Sequence, residues 1–472
     1  MKTTEFLFGE ALNLILNQKA SRHLTAKKFD KFMYNRLSGN DSQPSQTNHF
    51  RYLYYSSVLN TVVKNLDKHN YSKKSIEKII KIVVSDSTFN KINKPSERSE
   101  QFKSQYGDYP PGFITLSPTQ RCNLHCTGCY ASSDQTTVPT LPYSIVDRII
   151  GEVYYVFGRR FVVISGGEPF LYKSEGKTLI DVFKKYNDIF FLVYTNGTLI
   201  TEEVAQKLAE LGNVTPAISV EGFEMETDER RGNGVHKRIL KTFENLRNAG
   251  VPFGISVTAT RKNCDTLLKD DFYDYYFEEQ GATYMFQFQF MPIGRGKETF
   301  DLMVEPKKRI QLYKAWERLL EEKRYPVADF WNSALLTNGC IAYGRMGGYL
   351  YIDWNGNIMP CVFVPYYEDN IIDLYREGKS LVDATKSLLM KRGKKWQTEY
   401  FNSQDYNYLM PCSIRDHYRN FRENIFTEES KPENLQAEEA LIDESYYQQM
   451  EDYDLELEEL SRREIKAEHI NL

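Results

Sequence analysis

A chain of 472 residues has room for about three domains of ordinary size and a sizeable core, which excludes a disulfide-stapled mini-protein. Hydrophobic residues make up 41% and charged residues 26%, and no uncharged apolar run approaches the ~18 residues that span a bilayer, so stable membrane insertion is excluded. The net charge of −4 hides an acidic end, because residues 427–472 hold 15 acidic and 4 basic side chains. The rest is mildly basic, but no dense Lys/Arg stripe with interleaved aromatics marks a nucleic-acid partner. Glu5 and Glu10 interrupt the apolar stretch a signal peptide would need, which predicts a cytoplasmic chain.

In chain order, residues 1–106 read as helices. Apolar residues recur at helical spacing over Ala11–Leu16 and Ser75–Val84, punctuated by the polar stretch Ser38–Asn48. This region reads as a packing or lid element. From residue 107 to 305 short β-rich runs alternate with helical ones. The expected strands are Phe113–Leu116, Phe161–Ile164, Ile189–Tyr194, Pro216–Val220, Phe253–Thr258 and Tyr284–Met291. Helices are expected near 143–157, 176–187, 202–211, 236–249 and 265–279. Strands alternating with helices predict an α/β fold with a parallel sheet, here an open, partial barrel whose active site sits at the C-terminal strand ends. Residues 306–426 lose that rhythm and hold a hairpin-like segment, Gly348–Cys361, turning at Asn355-Gly356; a second, metal-bearing module is expected there. Residues 427–472 read as an acidic solvated helix or disordered extension.

Seven cysteines, with no export signal, point to metal binding or redox chemistry rather than disulfides. Cys122, Cys126 and Cys129 share the loop after the first strand. Three thiolates at that spacing can hold three corners of an iron–sulfur cube and leave the fourth iron open to a substrate or cofactor. Structural zinc wants a closed set of four, and His125 between two of the cysteines is badly placed to supply the fourth ligand.

Cys122-x3-Cys126-x2-Cys129 in this setting resembles the signature of the radical S-adenosylmethionine (radical SAM) superfamily, over roughly residues 107–305. The resemblance implies a partial (β/α)6 TIM-like barrel, a [4Fe-4S] cluster and bound S-adenosylmethionine. It also implies positions at later strand ends. Gly166-Gly167-Glu168-Pro169 matches the family's turn after strand two, where glycines admit the methionyl amino group and Glu168 offers a further acceptor. Asn196 and Ser219 match cofactor-lining positions, and Arg231 one whose guanidinium would pair with the methionine carboxylate. Val257 and the segment Met291-Pro292-Ile293-Gly294 would line the adenine. One departure is Gly128, where the family usually carries an aromatic, so adenine packing must come from elsewhere, Tyr130 or backbone being the candidates.

Cys340, Cys361 and Cys412 resemble the SPASM or twitch extensions of this superfamily, and the count suits one auxiliary [4Fe-4S] cluster, its fourth iron open or closed by Asp416 or His417. Cys264 is assigned no role. The resemblance implies an enzyme that reductively cleaves S-adenosylmethionine and removes a hydrogen atom from a substrate, a peptide or protein side chain in the leading reading, served by an external low-potential electron donor. A small molecule or lipid substrate is one alternative. A non-catalytic iron–sulfur electron carrier is the other.

Overall fold

The computed structural model describes residues 19–38, 45–85 and 97–470. The helical run expected over Ala11–Leu16 lies outside the described residues, while Ser75–Val84 falls within a helix, Lys73–Ser85. Helices Lys19–Ser38, Ser45–Asp67 and Glu97–Tyr106 complete the described N-terminal region. It packs on the outside of the body: Phe50 stacks on Trp316 at 4.9 Å, and Lys78 Nζ donates to the carbonyl of Leu211.

The body is built on one ten-stranded sheet. Its strands are β1 (Phe113–Leu116), β2 (Phe161–Ile164), β3 (Phe190–Thr195), β4 (Val214–Val220), β5 (Gly254–Ala259), β6 (Met285–Gln289), β7 (Val327–Asp329), β8 (Tyr349–Ile352), β9 (Asn357–Met359) and β10 (Asp369–Asn370). The spatial order is β10-β9-β8-β1-β2-β3-β4-β5-β6-β7, parallel from β8 through β7, with β9 and β10 antiparallel on one edge. All six expected strands are present, with ends shifted by a few residues at most. Helices cross between them, and their ends follow local chemistry. Over Glu202–Leu211, Thr201 caps by accepting from the N–H of Val204, two glutamates fill the first turn, and Gly212 ends the helix at φ 65°.

Alternation along each strand divides the sheet into two faces. Ile114, Val162, Ile164, Val193, Ile218, Ile255 and Val257 point outward and are fully buried under helices. Phe113, Thr115, Phe161, Val163, Leu192, Tyr194, Ser219, Ser256, Thr258, Phe286 and Phe288 point inward and line the lumen.

Three features depart from the sequence reading. The expected helix over 265–279 is divided into Cys264–Leu267, Asp270–Asp274 and a π-turn over Tyr275–Glu279. The hairpin of residues 348–361 exists, with Tyr351 opposite Met359. Its first strand β8 pairs in parallel with β1, so the hairpin extends the barrel sheet. The acidic tail is helical, as one expectation had it, but one face of it is docked on the body. Helix Glu444–Ile470 buries Tyr446, Met450, Tyr453 and Leu457 against the body, each apolar side chain stabilising by about 1.5–3 kcal/mol, and Lys314 pairs with Glu464 at 2.7 Å. Among the described residues, no helix is long and apolar enough to cross a membrane.

Candidate active site

The loop after β1 carries Cys122, Cys126 and Cys129, and neighbouring segments hold it by backbone bonds. The N–H of Cys122 donates to Asp134 O at 3.0 Å and that of Thr127 to Arg230 O at 2.9 Å. From the other side Arg295 donates through Nη2 to Ser133 O at 2.8 Å and through its N–H to Cys129 O at 3.2 Å. All three thiols are free and line one cavity of about 420 Å³ inside the barrel mouth. Burial pushes the Cys122 thiol up to about 12 and raises that of Cys126 as well, so both take a metal only by releasing a proton.

The same cavity gathers Gly166, Gly167, Asn196, Ser219 and Arg231. Asn196 Nδ2 lies 3.8 Å from Cys122 Sγ and donates to Asn123 Oδ1 at 2.8 Å. Arg231 Nη1 lies 4.0 Å from Cys126 Sγ, while its Nε donates to Glu221 at 2.8 Å. Arg230 pairs with the same carboxylate at 2.7 Å, so the guanidinium expected to await a free carboxylate already has one.

Glu168 departs further from its expected place, because it does not line the cavity. Fully buried, its carboxylate accepts from Thr195 Oγ1 at 2.7 Å, Asn196 N at 2.9 Å and Phe170 N at 3.1 Å. It ties the end of β2 to the end of β3. The glycines before it serve the cysteine loop: a Cβ on Gly167 would meet Gln120 O at 2.2 Å, and one on Gly166 would meet Thr119 O at 2.6 Å. That close approach lets Gly167 N donate to Thr119 O and Glu168 N to Arg121 O, at 2.9 and 2.8 Å.

Gly128 makes room for an aromatic from another strand. A Cβ there would lie 2.5 Å from Cε2 of Phe290, whose ring lines the cavity beside the third cysteine. Tyr130 also lines it, its hydroxyl 2.9 Å from Ser165 Oγ. Of the segment Met291–Gly294 expected to line the adenine, Met291 lines the cavity and Pro292, Ile293 and Gly294 do not. Val257 does not, because its side chain faces the outer core while Ser256 and Thr258 face inward. His125 is exposed and 3.7 Å from Asp134, away from the thiols.

Cys340, Cys361 and Cys412 converge on a second, largely apolar cavity of about 270 Å³. Phe286, Phe330, Thr337, Ile341 and Phe363 line both cavities and form the wall between them. Neither residue expected to close this site reaches it. Asp416 is buried in an ion pair with Arg309 and accepts from Cys412 N at 2.9 Å, and His417 Nε2 lies 2.9 Å from Met410 O against the rings of Trp396 and Tyr400. Cys264 is buried at a helix start and lines neither cavity. Sequence reasoning missed Phe290, Arg295 and Tyr349, whose hydroxyl lies 2.9 Å from Cys361 Sγ. The only sequence signal was indirect, the glycine where an aromatic was expected.

Both triads fit an iron–sulfur cube: soft donors, unpaired, disposed around a cavity and backed by donors to sulfur. Among the described residues, no group of three or more His, Cys, Asp and Glu side chains is placed to hold a single metal ion.

The radical SAM superfamily model matches residues 116–262. Among curated proteins, the AdoMet-dependent heme synthase of Methanosarcina barkeri is 28% identical over 55% of this chain and 79% of its own length. The mycofactocin maturase MftC of Mycolicibacterium smegmatis is 34% identical over 43% of this chain, a match spanning only 50% of that relative's length. Among solved structures, Streptococcus suis SuiB bound to S-adenosylmethionine superposes with a TM-score of 0.50 at 15% identity, over 67% of this chain and 75% of SuiB, a likeness of fold alone.

Proposed function

Because this chain carries a radical SAM domain, whose named relatives are enzymes, we propose that it removes a hydrogen atom from a peptide or protein side chain. When bound, a [4Fe-4S] cluster and S-adenosylmethionine supply the electron and the 5′-deoxyadenosyl radical for that step. Cys122, Cys126 and Cys129 would hold the cluster with one iron free. The observation that carries the reading is their convergence, with Gly166, Gly167, Asn196 and Ser219, on a single cavity at the C-terminal ends of the barrel strands.

The protein's own work is placement and exclusion of water. Asn196, fixed through its N–H by Glu168 and through its amide by Asn123, presents a donor beside Cys122. Gly166 and Gly167, packed against the cysteine loop, line the cavity where the methionyl end would sit, and Ser219, Ser256 and Thr258 would offer hydroxyls to the ribose. Cys340, Cys361 and Cys412 would hold an auxiliary cluster across the aromatic wall, placed to exchange an electron with the substrate. An external low-potential donor and a reducing, cytoplasmic setting suit seven free thiols.

The test is anaerobic reconstitution with iron and sulfide, followed by dithionite and S-adenosylmethionine. The reading expects 5′-deoxyadenosine and methionine, with deuterium passing from a labelled peptide into the nucleoside. Absence of 5′-deoxyadenosine from protein loaded with iron overturns it.

A further inference from the structure

The lumen below the cysteine loop has a chemical gradient. Along β2 it runs from Phe161 through Val163 to Ser165, a depth of roughly 13 Å at ~3.3 Å per residue. Hydroxyls and amides line the thiol end and the β4–β5 side, where Ser256 and Thr258 stand level with Phe286 and Phe288 across the strand pair. The lower end and the side toward the second cavity are aromatic: Phe113, Phe161, Tyr194, Phe286, Phe288 and Phe330. These rings contact one another at 5.2–6.0 Å: Phe113 with Phe161, Tyr194 with Phe286 and Phe288, and Phe288 with Phe330. Each of the six is only partly buried, and the surface it leaves open faces the lumen. Apolar surface facing a cavity favours an apolar occupant.

Charge narrows the choice. Among the described lining residues the only charged side chains are Arg230 and Arg231, which share the single carboxylate of Glu221 beside Cys126, at the thiol end. Among the described residues, no lysine, aspartate or glutamate lines the lumen. An anionic or cationic group carried past them to the aromatic end would therefore lose its hydration without gaining a partner. A tetrapyrrole bearing several carboxylates meets that penalty repeatedly, whereas an uncharged side chain on a peptide does not.

We infer that the group this chain acts on is a bulky, uncharged apolar side chain of a peptide, aromatic or branched aliphatic, seated among Phe286, Phe288 and Phe330. The inference rests on the radical SAM reading for the position of the reacting atom and adds the substrate class. Orientation follows from the gradient: the peptide backbone stays among the hydroxyls and the side chain enters the aromatic end.

Pentapeptides of the form Ala-Ala-X-Ala-Ala, with X as Phe, Leu, Asp or Lys, test it by calorimetric titration into the reconstituted protein with S-adenosylmethionine and no reductant. The Phe and Leu peptides are expected to bind at least tenfold more tightly than the Asp and Lys peptides. Phe288→Ser is expected to erase most of that preference with iron content unchanged; should it lose iron, Phe330→Leu is the second variant, expected to weaken the Phe peptide more than the Asp peptide. Equal binding of all four, tighter binding of a charged peptide, no binding by any, or a preference untouched by either variant overturns the substrate class. A separate reductant-driven assay keeps the two claims apart: 5′-deoxyadenosine formed without the apolar preference sinks this inference alone, and none formed sinks the radical SAM reading.

Discussion

The hydroxyl of Tyr349 lies 2.9 Å from Cys361 Sγ, while its ring, stacked on Phe113 at 5.2 Å and 8°, lines the first cavity. One side chain thus touches both sites. It stands on β8, the strand that joins the hairpin to β1.

A hydroxyl donated to a cluster thiolate stabilises the extra electron of the reduced state. A net hydrogen bond of ~0.5–1.5 kcal/mol corresponds to roughly 20–60 mV for one electron. Tyr349→Phe is therefore expected to lower the potential of the auxiliary cluster by that amount, read by an EPR-monitored redox titration, with no change in iron content.

Glu168 separates a structural role from a cofactor contact. Its three donors and complete burial predict that Glu168→Ala lowers stability by about 3 kcal/mol, since bonds to a charged acceptor are worth ~1.5–3 kcal/mol each and are not additive. In the fraction that stays folded, affinity for S-adenosylmethionine should change less than about threefold. Equilibrium dialysis alongside thermal melting separates the two; a large affinity loss without destabilisation would place the carboxylate at the cofactor.

Asp416 and His417 make a similar pair. Breaking the buried Arg309–Asp416 ion pair leaves an uncompensated guanidinium, so Asp416→Asn should cost roughly 3–5 kcal/mol and disturb Cys412, whose N–H the carboxylate accepts. His417→Ala should keep the full auxiliary iron content. A His417→Ala protein missing its auxiliary iron would make the imidazole a ligand.

Stability should depend on pH through Asp353 at the hairpin turn. Burial raises its carboxyl from 3.8 to about 6, and the neighbouring Glu433 is raised as well, by burial and by Asp353. A carboxyl raised on folding favours the folded state while protonated, and that contribution is lost as pH rises from about 4 through about 6. Urea unfolding should show the drop in the parent protein and a flatter profile in Asp353→Asn, which keeps one acceptor oxygen.

Much of the barrel was legible because its signal is local. Short runs rich in β-branched and aromatic residues at 113–116 and 161–164 match β1 and β2 residue for residue, and Thr201 with Gly212 marks a helix at both ends. Pairing across distance was not. The three-residue β7 is too short to carry a pattern, and nothing in Tyr349–Ile352 says that its partner is Phe113–Leu116. The helix of the tail was legible but its docking was not, because acidic residues on its outer face mask the buried stripe of Tyr446, Met450, Tyr453 and Leu457. Within the site, the spacing of the first triad was plain in the sequence, whereas the burial of Glu168 away from the cavity and the ring of Phe290 over Gly128 depend on tertiary contacts.

The central claim is that two cysteine triads hold two separate cubes. Iron and acid-labile sulfide, counted after anaerobic reconstitution in the parent protein and in two triple variants, test it most directly. About eight irons and eight sulfides per chain are expected, falling to about four in Cys122→Ala/Cys126→Ala/Cys129→Ala and to about four in Cys340→Ala/Cys361→Ala/Cys412→Ala. Stoichiometric zinc, or a parent protein holding only four irons, would contradict it.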